Sequence, residues 1–515
     1  MNERRLSTLF LAVVMFLSAS VWLVDAQPTG QVRSKVDGPR KPQPEPEVSS
    51  KRPPEIIDLL ADVRSVPPEF AADMLITIAE SEKVGDTEWK KELLDEAFHV
   101  AAGAQYAMPQ KAVGPYPVDT RVGYLGEAFE LKLDGLSLQC RAVRSMARFD
   151  KTKARELFSE VGKLKFAPLT CGEGLVYEVS DYYATAVKLA QECFSVNEMR
   201  RDEHIRLLES LVSNLSSPVQ VAPVASVIRS IRISRAQRET LVAAFASALQ
   251  KISGDDRSFS ASMYSAGQEI AKLLDTCKDQ GIQTSELLRA LRAYYVRHFS
   301  AGRCSDTRRN TGDNGPLPLE VHEFNDRVRA LSEKNIPEIE ADEVKPSRID
   351  GAVDVHFYGR SPKAAELMSA FKRLKFGSGR RPLLPTEMDN NQWRSELGEF
   401  LTRLSAWEKD EKDSEEDYFH EKCSLFEAAL TSLPPWPGRE DVRMRYIAFV
   451  SYFDLKRGSR IEWFWHATSL LRDLGRLSPA TRAEAIGELE SSKNPVLYVY
   501  AQIRKLLGGE AQPKS

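Results

Sequence analysis

The stretch FVSYFDLKRGSRIEWFWHATSLL, residues 449–471, carries the pattern on which the fold prediction rests. Apolar residues recur at steps of three or four from Val442 to Phe453, which is typical of an amphipathic helix with one buried face. Polar residues around Lys456–Ser459 interrupt this pattern, and a second helical pattern then begins. The stretch therefore predicts two antiparallel helices joined by a short turn.

The same organisation recurs along the chain. Helical patterns break at Gly85-Asp86, at Asp150 and at Gly254-Asp255, and each break offers a side-chain oxygen that can cap the next helix. Roughly eighteen helical segments follow from this periodicity, and VDVHFY at 353–358 is the one plausible strand. We therefore predict an all-α fold, an irregular α-solenoid of antiparallel helix pairs with a smaller C-terminal helical domain.

One helix pair resembles a known repeat. The segment AVRSMARFDKTKARELF, residues 142–158, combines a helix with small residues, a tight turn, and then Ala154 and Phe158. In these features it is similar to a tetratricopeptide repeat. The resemblance covers this one pair and implies stacked antiparallel helices there.

The first residues predict export. Arg4 and Arg5 precede the apolar run LFLAVVMFLSASVWLV, and the small residue Ala26 ends the segment, as in a secretory signal that is cleaved there. We expect a periplasmic or extracellular protein with no membrane insertion after cleavage, or a membrane-anchored one if the signal is retained. The predicted domains are a signal peptide (1–26), a disordered Pro-rich linker (27–54), a helical repeat array (55–334), an extended connector (335–361), a C-terminal helical domain (362–508) and a disordered tail (509–515).

The charge distribution argues against a nucleic-acid partner. The whole chain has a net charge of −3, and residues 1–26 contribute no net charge. The linker has six Lys/Arg against three Asp/Glu, so the rest of the chain has a net charge of about −6 by difference. Binding to nucleic acid requires clustered positive charge, so we predict none.

Glu462 and His466 form the most chemically suggestive pair in the sequence. They are four residues apart on the predicted helix, so they share one face and could act as an acid–base or metal-binding pair. That face also carries Ser469 and Asp473, so the sequence favours a solvent-exposed ion pair instead. Trp465 lies beside Arg472 at the edge of the apolar face, and these two residues are the predicted binding residues.

The remaining reactive side chains give no local site. Zinc sites usually need three or more protein ligands, and no stretch of the sequence groups them at the usual spacing, so we expect no metal or other cofactor. Among the six cysteines, Cys171 and Cys304 lie in predicted loops and form the candidate disulfide. His298 is expected in the core, His99 at the surface, and Cys423 on an apolar face beside His420.

Three functions remain open from the sequence. A non-enzymatic scaffold of the cell envelope that binds a protein or peptide is favoured, because stacked helices form extended binding surfaces. The alternatives are a hydrolase of an envelope polymer, whose carboxylates come from separated helices, and a structural assembly subunit. The oligomeric state is left open.

Overall fold

The computed structural model describes residues 52–507 with internal gaps. The gaps are 113–119, 168, 170–172, 254–255, 302–316, 332–334, 346–360, 378, 380, 385, 389, 412, 434–437, 452–457, 475–478 and 492–493. Residues 50–515 form one compact unit. Among the described helices, none combines the length and the apolar character needed to cross a membrane.

The regular secondary structure of the described residues is almost entirely helical, so the all-α prediction is confirmed. The helices of the first half are α1 (Pro54–Val63), α2 (Pro68–Glu80), α3 (Thr87–Ala101), α4 (Thr120–Phe129), α5 (Gly135–Met146), α6 (Lys151–Val161), α7 (Ser180–Glu192), α8 (Val196–Arg200), α9 (Glu203–Ser213), α10 (Val221–Ser230) and α11 (Arg235–Leu249). Those of the second half are α12 (Ser258–Asp279), α13 (Ser285–Ser300), α14 (Leu319–Ala330), α15 (Pro362–Phe376), α16 (Asn391–Ala406), α17 (Glu415–Ser432), α18 (Arg439–Ser451), α19 (Arg460–Leu474), α20 (Pro479–Ser491) and α21 (Pro495–Leu507).

Two short strands were not predicted from the sequence. Strands β1 (Gln110–Ala112) and β2 (Leu175–Tyr177) pair antiparallel, with Lys111 opposite Val176. Each has three residues, which is too short for the alternating pattern by which strands are recognised. The predicted strand at 353–358 lies outside the described residues.

The predicted helix starts are confirmed where the structure describes them. Asp86 accepts hydrogen bonds from the backbone N–H groups of Glu88 and Trp89 at the start of α3. Asp150 caps α6 by accepting from the backbone N–H of Lys153. These contacts satisfy N–H groups that have no partner within the helix, which is why the chain breaks and restarts there. The break at Gly254-Asp255 lies outside the described residues.

Helices along the first part of the chain pack mostly on near neighbours in sequence. Helix α2 packs on α3, α3 on α5, α5 on α6 and α7, α7 on α9, α9 on α11, α10 on α12 and α11 on α13. Apolar residues at steps of three or four along α11 and just beyond its end are fully buried in this packing, at Leu241, Phe245, Leu249 and Ile252. Packing of each helix on helices that are close to it in sequence agrees with a stacked arrangement. The solenoid and the tetratricopeptide-like pair stay predictions.

The last helices return to the first ones. Helix α21 packs against α1 and α2, and α19 packs against α4. At this junction the ring of Phe70, on α2, lies 6.0 Å from the ring of Trp463 and 4.9 Å from that of Phe464. The Tyr500 hydroxyl of α21 donates to Asp73 of α2 at 2.5 Å. We call this contact of α19 and α21 with α1, α2 and α4 the closure. The predicted domain boundary at 335–361 stays a prediction.

Candidate functional site

Glu462 and His466 are buried, so the prediction of a solvent-exposed pair on α19 is wrong. Glu462 is 4% exposed and His466 is 0% exposed. The sequence pattern shows only that these residues oppose Trp463 and Phe464 on the helix. In the fold α19 is covered on both sides at this point, because Trp463 and Phe464 meet α2 and Glu462 and His466 meet α17.

Each member of this pair has a partner on α17. Oε1 of Glu462 lies 3.7 Å from Nε2 of His420. Nε2 of His466 lies 3.0 Å from Nδ1 of His420, and Nδ1 of His466 lies 2.9 Å from Oε1 of Glu427. Glu462 and His466 are therefore both joined to α17 in the fold.

A second carboxylate, that of Glu416 at the start of α17, lies near His420 and Glu462. Glu416 and His420 are four residues apart, so they lie on one face of that helix. One ligating atom from each of Glu416, His420 and Glu462 lies within 4.8 Å of the other two. We call these three residues the Glu416–His420–Glu462 cluster. Sequence analysis missed Glu416 and His420, although the i, i+4 spacing in EEDYFH is a local signal for them.

A line of polar groups supports the cluster from behind. The Tyr446 hydroxyl of α18 donates to Oε1 of Glu427 at 2.6 Å, and that same oxygen contacts His466. Burial raises the pKa of Tyr446 well above its usual value, so this hydroxyl stays protonated and remains a donor. The order of contacts runs from Tyr446 through Glu427 and His466 to His420. These contacts orient the His420 ring so that Nε2 faces Glu462.

Helix α4 covers the outer side of the cluster. The Tyr124 ring stacks on His420 with centroids 5.4 Å apart and an angle of 16° between the planes. Its hydroxyl forms a short hydrogen bond with Ser424, and burial raises its pKa. Since Tyr124 comes from a distant part of the chain, the closure brings the covering ring to the cluster.

The predicted binding residue Trp465 is half-buried and contacts the same ring. Its indole lies 5.6 Å from the Tyr124 ring and 4.8 Å from that of His466. Trp465 therefore packs at the α4–α19 contact, and its role in partner binding stays a prediction. The side chain of Arg472, and both Cys171 and Cys304, lie outside the described residues. Cys423 is fully buried, as predicted, and burial raises its pKa well above the usual range.

The other predicted histidine positions are confirmed, and one of them has an unusual environment. His99 is 54% exposed, whereas His298 is 1% exposed. The His298 ring stacks on Phe259 at 4.7 Å and neither of its nitrogens has a hydrogen-bond partner among the described residues. Burial, with a smaller effect from Arg297, lowers its pKa to about 3.

This histidine should make the protein sensitive to acid. Between pH 6.5 and about 3 the unfolded chain binds a proton that folded His298 cannot, so protonation favours unfolding. The expected loss is about 1.4 kcal/mol per pH unit, or roughly 2 kcal/mol from pH 7 to pH 5. Urea unfolding of His298→Phe should lack this component. The control His99→Phe should keep it, and equal slopes in the two variants would contradict the assignment.

A second feature is a cavity of about 710 Å³ between α12 and α14, with Leu291 and Tyr295 of α13 at its base. We call it the α12–α14 groove. Its apolar lining includes Ile270, Ala271, Leu274 and Phe324. Gly267 allows the close approach of α13, since a Cβ there would lie 3.1 Å from the Tyr295 hydroxyl. An ion pair of 2.5 Å between Arg327 and Asp275 joins the two helices.

One carboxyl in this groove has an oxygen without a partner. Glu320, in the first turn of α14, is 3% exposed. Its Oε2 atom has no hydrogen-bond partner among the described residues, and burial raises its pKa. A buried oxygen without a hydrogen-bond partner costs free energy in the folded protein.

Comparison with known proteins gave no match. No protein-family model matches the chain, and no curated protein and no solved structure is significantly similar to it.

Proposed function

We propose that the protein is an exported, non-enzymatic helical protein of the cell envelope that binds a protein or peptide segment in the α12–α14 groove. The groove itself is the observation that carries this proposal. Its volume of about 710 Å³ accommodates several side chains, and volumes of this size are typical of ligand sites. The basic and apolar N-terminal segment supports export.

The lining of the groove suggests what the bound segment presents. Ile270, Leu274 and Phe324 provide apolar surface for an aliphatic or aromatic side chain. Glu320 also lines the groove, although only 3% of its surface is exposed. With Glu323 beside it, this end of the groove favours a basic side chain or an amine. The proposed ligand therefore combines an apolar anchor with a positively charged group.

The experiment is crosslinking of the tagged protein in its own cells, followed by mass spectrometry of the captured proteins. The variant Ala271→Trp fills the groove from a half-buried position on its lining. Ser265→Trp is the matched control, because residue 265 is exposed on the same helix and does not line the groove. We expect one recurrent partner whose capture drops at least about tenfold in Ala271→Trp and persists in Ser265→Trp.

Two results would contradict this function. Equal capture by the two variants would mean that the partner binds elsewhere. Capture of nothing except further copies of the chain would favour the assembly-subunit alternative. Circular dichroism of both variants separates these outcomes from misfolding, because a folded variant retains its helical signal.

The hydrolase alternative draws on a different observation. Glu416 and Glu462 come from separate helices and meet at His420, as paired catalytic carboxylates would. However, Glu462 is 4% exposed, and Tyr124 covers His420. A polymer chain would not reach these carboxylates in this conformation, so the proposal favours binding in the α12–α14 groove.

A further inference from the structure

We propose that the Glu416–His420–Glu462 cluster binds a divalent transition-metal ion of the zinc class, which links α17 to α19. The proposal is independent of the groove, because the cluster lies on other helices. It rests on three ligands of the kinds that zinc binds, one imidazole nitrogen and two carboxylates, brought within 4.8 Å of one another.

The spacing is close to that of a metal site. Zinc bonds of about 2.1 Å in a tetrahedral site place neighbouring ligand atoms about 3.4 Å apart. Nε2 of His420 and Oε1 of Glu462 are already 3.7 Å apart. Glu416 completes the set from a half-buried position in the first turn of α17. A small rotation of its flexible side chain is enough to bring its carboxylate to the ion.

Nδ1 of His420, the ring nitrogen that does not face the ion, has a hydrogen-bond partner, as is usual for a histidine that binds a metal. A ligating histidine usually directs its other ring nitrogen to a fixed hydrogen-bond partner, which sets the tautomer and the orientation of the ring. Here Nδ1 of His420 contacts Nε2 of His466, which in turn contacts Glu427. This line of contacts turns Nε2 of His420 toward the side where both carboxylates lie.

The donor set also selects the kind of ion. A histidine nitrogen favours zinc and other transition metals, whereas magnesium and calcium prefer oxygen ligands. With three protein ligands, a fourth position is available for water. The burial of His420 and Glu462 makes these two ligands rigid, and rigid ligands bind a metal without a large loss of conformational entropy.

The test is zinc binding by the purified full-length protein after removal of metal with a chelator. The protein is dialysed against zinc with a competing chelator, and retained zinc is measured by elemental mass spectrometry. We expect one zinc ion per chain and a rise in melting temperature with zinc but not with magnesium. The variant Glu416→Gln should weaken binding by at least about tenfold, since loss of a supporting group alone has such an effect.

Glu415→Gln is the matched control, because residue 415 is exposed on the same turn and is not part of the cluster. It should retain zinc and the rise in melting temperature. The proposal is overturned if the wild-type protein retains no zinc, or if Glu416→Gln and Glu415→Gln retain it equally. Both substitutions lie at the end of a helix outside the core, so folding is expected to survive in each.

Discussion

Replacement of Trp463 by alanine is expected to lower the free energy of unfolding by about 3–5 kcal/mol, the usual cost of removing a large aromatic side chain from a core. Trp463 is fully buried, and its indole N–H donates to the backbone carbonyl of Val450 at 2.9 Å. Its ring lies against Phe70 of α2. The substitution therefore leaves a cavity at the closure and a carbonyl without its donor.

Urea unfolding followed by circular dichroism measures this loss. The matched control is Trp465→Ala, which removes the same side chain two residues later from a half-buried position. Its expected cost is smaller, about 1–2 kcal/mol. If the two variants lost the same stability, Trp463 would not be the deeper of the two tryptophans and the orientation of α19 would be wrong.

Replacement of Arg460 by methionine should cost about 3 kcal/mol, because breaking a buried ion pair leaves a charge without compensation. Nε of Arg460, at the start of α19, lies 2.6 Å from Oε1 of Glu69 on α2, which is fully buried. Desolvation raises the pKa of Glu69, and Arg460 partly opposes this shift. Without Arg460 the carboxyl of Glu69 holds its proton to a higher pH still.

The pH dependence of the stability of Arg460→Met shows whether the buried carboxyl of Glu69 causes the loss. Above about pH 4.3 the unfolded chain releases the Glu69 proton while the folded variant must keep it, so the stability deficit grows as pH rises. The double variant Glu69→Gln with Arg460→Met should recover much of the loss, since no charge remains buried. If the stability loss of the double variant equalled the sum of the losses of the two single variants, the two residues would not interact.

The local structure of this protein follows from its sequence. Asp86 and Asp150 cap helices where the pattern breaks, and the stripe from Leu241 to Ile252 is buried as its spacing requires. Both results depend on contacts within a few residues. The strands β1 and β2 escaped prediction because each owes its existence to a partner far away in the chain, not to its own three residues.

The candidate site shows more clearly what cannot be predicted from the sequence alone. Spacing placed Glu462 and His466 on one face of α19, which is correct, but assigned that face to solvent. A polar face looks the same in sequence whether it meets water or another polar face. Here the partners are His420 and Glu427 on α17, and Tyr124 from α4 covers them. Only the closure of the chain brings these three segments together.

Photo-crosslinking from residue 465 tests whether α19 packs on α4, as the closure requires. The photoreactive amino acid p-benzoylphenylalanine replaces Trp465, whose ring lies 5.6 Å from that of Tyr124. One aromatic group replaces another at a half-buried position, so the packing of α19 is largely preserved. The purified protein is irradiated and digested, and the crosslinked peptides are identified by mass spectrometry.

We expect an intramolecular crosslink from residue 465 to the peptide that contains Tyr124 on α4. That result would establish that the last helices pack on the first ones and that α4 covers the cluster. Absence of this crosslink, with crosslinks from residue 465 only to peptides outside α4 or to a second copy of the chain, would contradict the closure.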